Sequence, residues 1–290
     1  LLMTSPQNET PIVSVIIPTY NRVDFLMEAI TSVQEQRYRP IELIVVDDGS
    51  TDGTTERLSE VCDVHVLQIS HTGRPGAVRN TGIAAATGDY IAFLDSDDLW
   101  HPHKLTLQME ALAANLDSMI IHCREIWLRN GRIVSQASQR HRRSGWIFAD
   151  SVRKCVIGPS TVLLHRSILD EVGGFRKDLE IAEDYELWLR VTYRFPVAYC
   201  DQPLVTKRAG HEDQLSERYE QIERFRIDAL EPLVSTDHWQ GLERSIARRE
   251  LERKCRIYAA GARKRERNEE AAHYESLARN ASISADSSGS

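Results

Sequence analysis

The chain has no apolar run approaching the ~18 residues that a membrane-spanning helix needs. Its longest candidates, Ile41–Val46 and Tyr90–Leu94, have the length of strands. Cysteine is also scarce. Cys62, Cys123, Cys155, Cys200 and Cys255 are odd in number, widely spread and form no C-x-x-C pair, which argues against a disulfide framework and a zinc knuckle. Buried reduced thiols are expected instead. No positive excess exists that would attract nucleic acid, because the net charge is −7. The opening Leu1–Pro6 lacks a basic segment and an apolar segment, so no secretory signal is expected and a cytoplasmic location is. Hydrophobic residues at 41%, charged residues at 27% and a mean hydropathy of −0.39 exclude fibrous and wholly disordered classes.

What is present is alternation. Ile12–Ile17 is a β-branched run stopped by Pro18. Val23–Gln36 follows, with Phe25, Leu26, Ile30 and Val33 at helical spacing and Asn21 placed to cap them. Strand Ile41–Val46, helix Thr54–Val61, strand His65–Ile69, helix Gly76–Ala86 and strand Tyr90–Leu94 continue the pattern. Parallel neighbours need crossovers and helices supply them, so this half predicts a mostly parallel, Rossmann-like α/β sheet with helices on both faces. In such sheets ligands sit beyond the carboxyl ends of strands. Three polar clusters follow such ends: Pro18–Arg22, Asp47–Asp52 and Asp95–Asp98.

Beyond Trp100 the pattern becomes mixed. Pro102–Asn115 reads as a helix, Met119–Cys123 and Ile126–Val134 as strands, and Asn130-Gly131 as a hairpin turn. Thr161–Leu164, Val197–Cys200 and Leu204–Thr206 read as strands and Glu183–Arg194 as a helix. The resulting divisions are 11–100, 101–213, a helical appendage over 214–281 and a Ser-rich, disordered tail over 282–290. Gly241–Asn280 holds eleven Lys/Arg against seven Glu, with Leu251, Ile257, Ala260, Tyr274 and Leu277 as the apolar positions of a helical pair. A solvated amphipathic face is the favoured reading there over a basic patch for peripheral contact with the inner face of the membrane.

Four segments carry chemistry. In Tyr90–Asp98 the acids Asp95 and Asp97 stand at i and i+2, which in extended chain puts them on one face roughly 6–7 Å apart. One carboxylate can then hold a hard divalent cation, Mn²⁺ or Mg²⁺, whose open positions suit a diphosphate, while the other meets a ribose hydroxyl. The bland alternative is a pair of helix-capping acids. Asp47–Gly53 superficially resembles a calcium loop but fails it, since counting Asp48 as position 1 puts Ser59 at position 12 in place of Glu. Asp48 is better placed to accept from a nucleobase imide, and Asp52 to cap a helix. Gly73–Gly82 combines glycines with Arg74 and Arg79 near an anionic ligand, without a G-x-G-x-x-G or G-K-[ST] pattern. Glu183-Asp184 opens a helix whose dipole favours acids there, and a pocket-facing carboxylate at that position can act as a general base.

Together with Val13–Arg22 at the front, these segments resemble the family 2 glycosyltransferases of the GT-A fold, over roughly Pro11 to His211. The resemblance implies an inverting, metal-dependent transferase that takes a nucleotide-diphosphate sugar, often UDP-linked, to a saccharide, glycolipid or protein acceptor. It places Pro18, Asp48 and Arg74 around the base, Asp95 at the ribose, Tyr20 and Ser96 among the other donor-binding residues, and Asp97 on the metal. Asp184 becomes the base, and His211 a further diphosphate or metal contact. A sugar nucleotidyltransferase ranks lower because Pro18-Thr19-Tyr20-Asn21 stands where its Gly-rich loop belongs. A non-catalytic nucleotide-sugar binding module is the rival from another class. Trp127, Trp146 and Trp188 are candidates for a sugar-stacking platform, against the commoner role of core packing.

Overall fold

The computed structural model describes residues 10–134, 143–210, 222–236 and 238–286. Val13–Thr19 (β1), Ile41–Asp47 (β2), His65–Gln68 (β3) and Tyr90–Phe93 (β4) pair in parallel. Between them run Val23–Gln34 (α1), Thr54–Ser59 (α2) and Pro75–Ala85 (α3). Side chains alternate across a strand. Val13, Val15 and Ile17 therefore enter one core with Leu26, Ile30 and Val33 of α1, while Ile16 enters the opposite core with Val78 of α3 and Phe93. β1 does not stop at Pro18. Pairing with β4 ends at Ile16–Phe93 whereas pairing with β2 continues to Thr19–Asp47, so Pro18 lies where its missing N–H interrupts no ladder bond.

The chain continues through Leu99–Trp100 (β5), Lys104–Ala114 (α4), Ile120–Arg129 (β6), Arg132–Val134 (β7) and Phe148–Arg153 (α5). Leu163–His165 (β8), Arg166–Val172 (α6), Glu183–Arg194 (α7) and Val197–Ala209 (β9) follow. The sheet order is β3-β2-β1-β4-β8-β6-β9-β5, with β7 paired to β6. β8 runs antiparallel to both β4 and β6, β9 is parallel to β6, and β5 is antiparallel to β9, giving the mixed second half. The β6–β7 turn uses left-handed Asn130 and Gly131, as an Asn-Gly hairpin should. The two strands expected at Val197–Cys200 and Leu204–Thr206 are one, because register shifts opposite Cys123–Glu125 absorb the polar Asp201-Gln202 without ending the pairing.

Ile222–Ser235 (α8), Gly241–Lys264 (α9) and Asn268–Asp286 (α10) form the helical appendage, which shares a third core with α5 and α7 through Tyr185, Leu230, Trp239 and Ala259. Leu251 and Tyr274 are buried as expected, whereas Ile257 and Ala260 face outward on α9. The helix α10 extends to Asp286, so Ser282–Asp286 is helical where composition predicted a disordered tail. Of the five thiols, Cys123 and Cys255 are buried but Cys62 is exposed, on the short edge after α2.

The small-sided α3 packs directly on the sheet. A Cβ added at Gly82 would lie 2.4 Å from Ile16 Cγ2, closer than any side chain tolerates. Gly82→Ala is therefore expected to lower the stability by about 1–3 kcal/mol, the overpacking cost exceeding the gain in helix propensity. An unchanged urea midpoint would show that α3 can move away from β1.

Candidate active site

The acid-rich end of β4 is a turn. The strand ends at Phe93, and Asp98 N donates to Asp95 O at 2.9 Å. This corrects the extended geometry expected for Asp95 and Asp97: the turn sends the two carboxylates to different cations. Asp95 Oδ1 meets Arg79 Nη2 at 2.7 Å and Oδ2 lies 3.9 Å from Lys207 Nζ. Asp97 Oδ2 meets Arg22 Nη1 at 2.9 Å, and its carbonyl accepts from Arg208 Nε. Asp98 is buried, accepts from Ser160 Oγ at 2.6 Å and lies 3.5 Å from Lys207 Nζ. Ser96 is buried in the same turn.

Arg79 links this turn to α7. Its Nη1 donates to Glu183 Oε1 while Nη2 holds Asp95, with the guanidinium only 6% exposed. The two acids that share it diverge because their charged neighbours differ. Glu183 lies deep, and desolvation outweighs the attraction of Arg79 and pushes its carboxyl up to about 7. Burial also works to raise Asp95, but Arg79 and Lys207 outweigh it and hold that carboxyl below the ordinary range.

Next to Glu183, Asp184 lines a cleft of about 340 Å³ with Cys155, Lys207, Glu125, Trp127 and Arg226. Its Oδ2 is 3.4 Å from Cys155 Sγ. Lys207 belongs to both places, reaching the acids Asp95 and Asp98 from a side chain that also lines the cleft. The turn is thus tied to the start of α7 by Arg79–Glu183 and to the cleft that Asp184 lines by Lys207.

The residues expected around a base lie at the ends of β1 and β2. Pro18 is partly exposed there, and Tyr20 stacks on His71 with ring centroids 4.0 Å apart. Asp48 is buried, with its carboxylate taken up by a loop: Oδ1 accepts from Thr72 N at 2.8 Å and Thr72 Oγ1 at 2.9 Å, and Oδ2 from Gly73 N at 3.0 Å. His71 Nδ1 stands 3.0 Å from the same Oδ2. Arg74 turns toward the 176–180 loop, donating to Asp178 O at 3.1 Å and pairing with Glu180 at 3.5 Å. Asn21 does not cap α1. It adopts a left-handed φ of 49° and its Oδ1 accepts from Thr51 N, while Asp52 takes the N–H of Val23 through Oδ2 and that of Thr54 through Oδ1. Asp52 is a cap, as expected, and serves two helices.

His211 lies outside the described residues. Of the tryptophans, Trp127 lines the cleft, Trp188 is a core residue and Trp146 is 69% exposed, so the three form no platform. Sequence reasoning missed Lys207, Glu125, Cys155 and Arg226. Lys207 had one usable signal, a cation directly after the expected strand Leu204–Thr206. Among the described residues no group of three or more His, Cys, Asp and Glu is arranged to hold a metal by itself, and no helix is long and apolar enough to cross a membrane.

Acids at the carboxyl ends of the parallel strands, with a further carboxylate in an adjoining cleft, stand where open α/β sheets bind their ligands. The Glycosyl transferase family 2 model matches residues 14–173, and the chain belongs to that family. It is 34% identical over 182 residues to UDP-Glc:alpha-D-GlcNAc-diphosphoundecaprenol beta-1,3-glucosyltransferase WfgD of Escherichia coli, covering 62% of this chain and 69% of that one. It is 30% identical over 196 residues to the putative teichuronic acid biosynthesis glycosyltransferase TuaG of Bacillus subtilis, covering 66% and 76%. An uncharacterized glycosyltransferase of Rickettsia felis is 32% identical over 66% of this chain, which spans about a third of that longer relative (32%). Among solved structures, S. aureus TarS 1-349 in complex with UDP-GlcNAc superposes with a TM-score of 0.69 at 22% identity, over 86% of this chain and 72% of that one. Mannosyltransferase PcManGT from Pyrobaculum calidifontis in complex with GDP-Man and Mn²⁺ gives 0.66 at 19% identity, over 98% and 77%. These likenesses establish the GT-A fold.

The raised Glu183 carboxyl makes stability depend on pH in a defined sense. The folded chain binds that proton more tightly than the unfolded one, so wild type loses stability as pH rises from the ordinary 4.5 through about 7. Glu183→Gln lacks this loss, so urea unfolding is expected to show the variant gaining on wild type between about pH 5 and about pH 8. Parallel stability curves would mean that Glu183 is ionised throughout.

Proposed function

We propose that this chain is an inverting glycosyltransferase that moves a sugar from a nucleotide-diphosphate sugar, with UDP as the nucleotide, to an acceptor hydroxyl. The observation that carries this reading is the placement of Asp184 in a cleft whose wall, through Lys207, continues into the acidic turn after β4. Donor acids and a base candidate then flank one space. Membership of family 2 and the UDP-linked name of the E. coli relative support the nucleotide.

In this reading Tyr20 and Pro18 border the base and Asp95 faces the ribose. The Asp48 carboxylate reaches an imide N–H only by exchanging a hydrogen bond it now accepts from the Thr72-Gly73 loop. Asp184 takes the proton from the acceptor hydroxyl as its oxygen attacks the anomeric carbon, and the sugar inverts because attack and departure lie on opposite faces. Such a base contributes about 10²–10⁴-fold. Lys207 stands where it can follow negative charge building on the departing diphosphate.

The donor set of the turn fits a divalent cation in kind, since it offers carboxylate oxygens, the hard ligands of Mg²⁺ and Mn²⁺. Asp97 would hold it. Arg22, Arg79 and Lys207 already balance Asp95, Asp97 and Asp98, so a cation is admitted together with an anionic diphosphate and not alone. When bound, the metal neutralises the leaving diphosphate.

Incubation with UDP-sugars and Mn²⁺ should release UDP, slowly without an acceptor and faster with one. Asp184→Asn should reduce transfer by about 10²–10⁴-fold with donor affinity unchanged by calorimetry. Near-normal turnover in that variant would remove the base assignment. Asp97→Asn should weaken the part of nucleotide affinity that depends on Mn²⁺, and an unchanged Mn²⁺ dependence would remove Asp97 from the metal.

A further inference from the structure

Four lysine and arginine side chains and two carboxylates line the cleft beside Asp184. Arg124, Lys154, Lys207 and Arg226 line it against Glu125 and Asp184. Lys207 is engaged by Asp95 and Asp98, and Arg124 reaches Asp201 at 3.5 Å. Arg226 and Lys154 stand apart from the donor acids. Lys154 is exposed at the end of α5, and Arg226 projects from α8, within the helical appendage that the donor site does not use.

The Arg226 position is built. Arg226 Nη1 pairs with Glu223 one turn earlier on α8. The other carboxylate oxygen of Glu223 accepts from Lys254 Nζ at 2.9 Å, and that same ammonium donates to the carbonyl of Arg153 at 3.2 Å. Lys254 lies on α9 with its side chain 1% exposed, and Glu250 is 3.4 Å away. Burying an ammonium is costly unless it is fully paired. Here the paired ammonium fixes the carboxylate that aims Arg226 and the backbone next to Lys154. A planar guanidinium and a point-like ammonium lining one cleft suit a group with several oxygens and more than one negative charge. A carboxylate would be satisfied by the arginine alone.

We propose that this end of the cleft binds a phosphate or diphosphate group of the acceptor between Arg226 and Lys154, so that the C-terminal helices supply the acceptor's anion site. The proposal rests on the transferase reading, which places the acceptor beside Asp184. It assigns the appendage a part in choosing the acceptor: a sugar carrying a phosphoryl group is taken in preference to the neutral glycoside.

The test is calorimetry on the full chain, first saturated with UDP and Mn²⁺ so that the donor end is filled. The probes are N-acetylglucosamine 1-phosphate, the 1-diphosphate of the same sugar bearing a short alkyl tail, and methyl N-acetylglucosaminide, the sugar being that in the acceptor for which the E. coli relative is named. The phosphorylated probes should bind about tenfold or more tightly than the methyl glycoside, and Arg226→Ala should remove about tenfold of that preference with UDP affinity retained. Lys154→Gln, at an exposed position, should remove a smaller part and carries the test if Arg226→Ala does not fold. Tighter binding of the tailed diphosphate identifies a lipid-linked acceptor, and equal binding of the two a soluble sugar phosphate. Absence of the preference, absence of binding by both phosphorylated probes, or a preference that survives both substitutions overturns the proposal. Failure of UDP to bind in the first step counts against the transferase reading instead, and the phosphate comparison is then made on the nucleotide-free chain.

Discussion

Arg79 stands between two carboxylates that come from opposite halves of the chain, Asp95 after β4 and Glu183 at the start of α7, and it is almost wholly removed from water. Removing one partner of such a buried cluster leaves an uncompensated charge at a cost of about 3–5 kcal/mol. Arg79, Asp95 and Glu183 must therefore occupy their positions together. The consequence is geometric. Asp184, the next residue along α7, is delivered beside the acidic turn because its neighbour is tied to that turn through one guanidinium.

Acids at strand ends do structural work elsewhere in the same rim. Asp48 holds Thr72 and Gly73, and Asp52 caps α1 and α2 at once, so the loops that follow β1, β2 and β3 are bound to one another before any ligand arrives. A nucleotide entering here meets a hydrogen-bonded surface whose groups it must exchange for its own. That exchange is favourable only if the incoming donors match the bonds they replace. Arg22, Arg79 and Lys207 are matched in the same way against Asp95, Asp97 and Asp98, so under the proposed function metal and diphosphate would enter as a unit.

Much of this was legible from residue order. The four parallel strands, the helices between them and α7 over Glu183–Arg194 followed from β-branched runs, helical spacing and caps, which are local signals. The acidic turn and Asp184 were legible as chemistry. Their neighbours were not: Lys207 on β9 is distant in sequence from Asp95 and Asp98, as Arg226 on α8 is from Asp184, whose cleft it lines, and no local pattern reports a contact of that range. Asn21 shows the same limit. Its type and position suit a cap, yet Asp52 from the neighbouring loop takes the bond, because a carboxylate held between two helix starts satisfies both.

The sequence by itself determined the α/β alternation, the family and the kinds of side chain gathered at the strand ends, since periodicity and residue chemistry are properties of short segments. Tertiary structure alone decided which cation each acid meets, that Asp95 and Glu183 share Arg79, and that the C-terminal helices border the Asp184 cleft. Those are outcomes of long-range packing, in which burial sets the strength of every charge and the sheet order sets which charges come within reach.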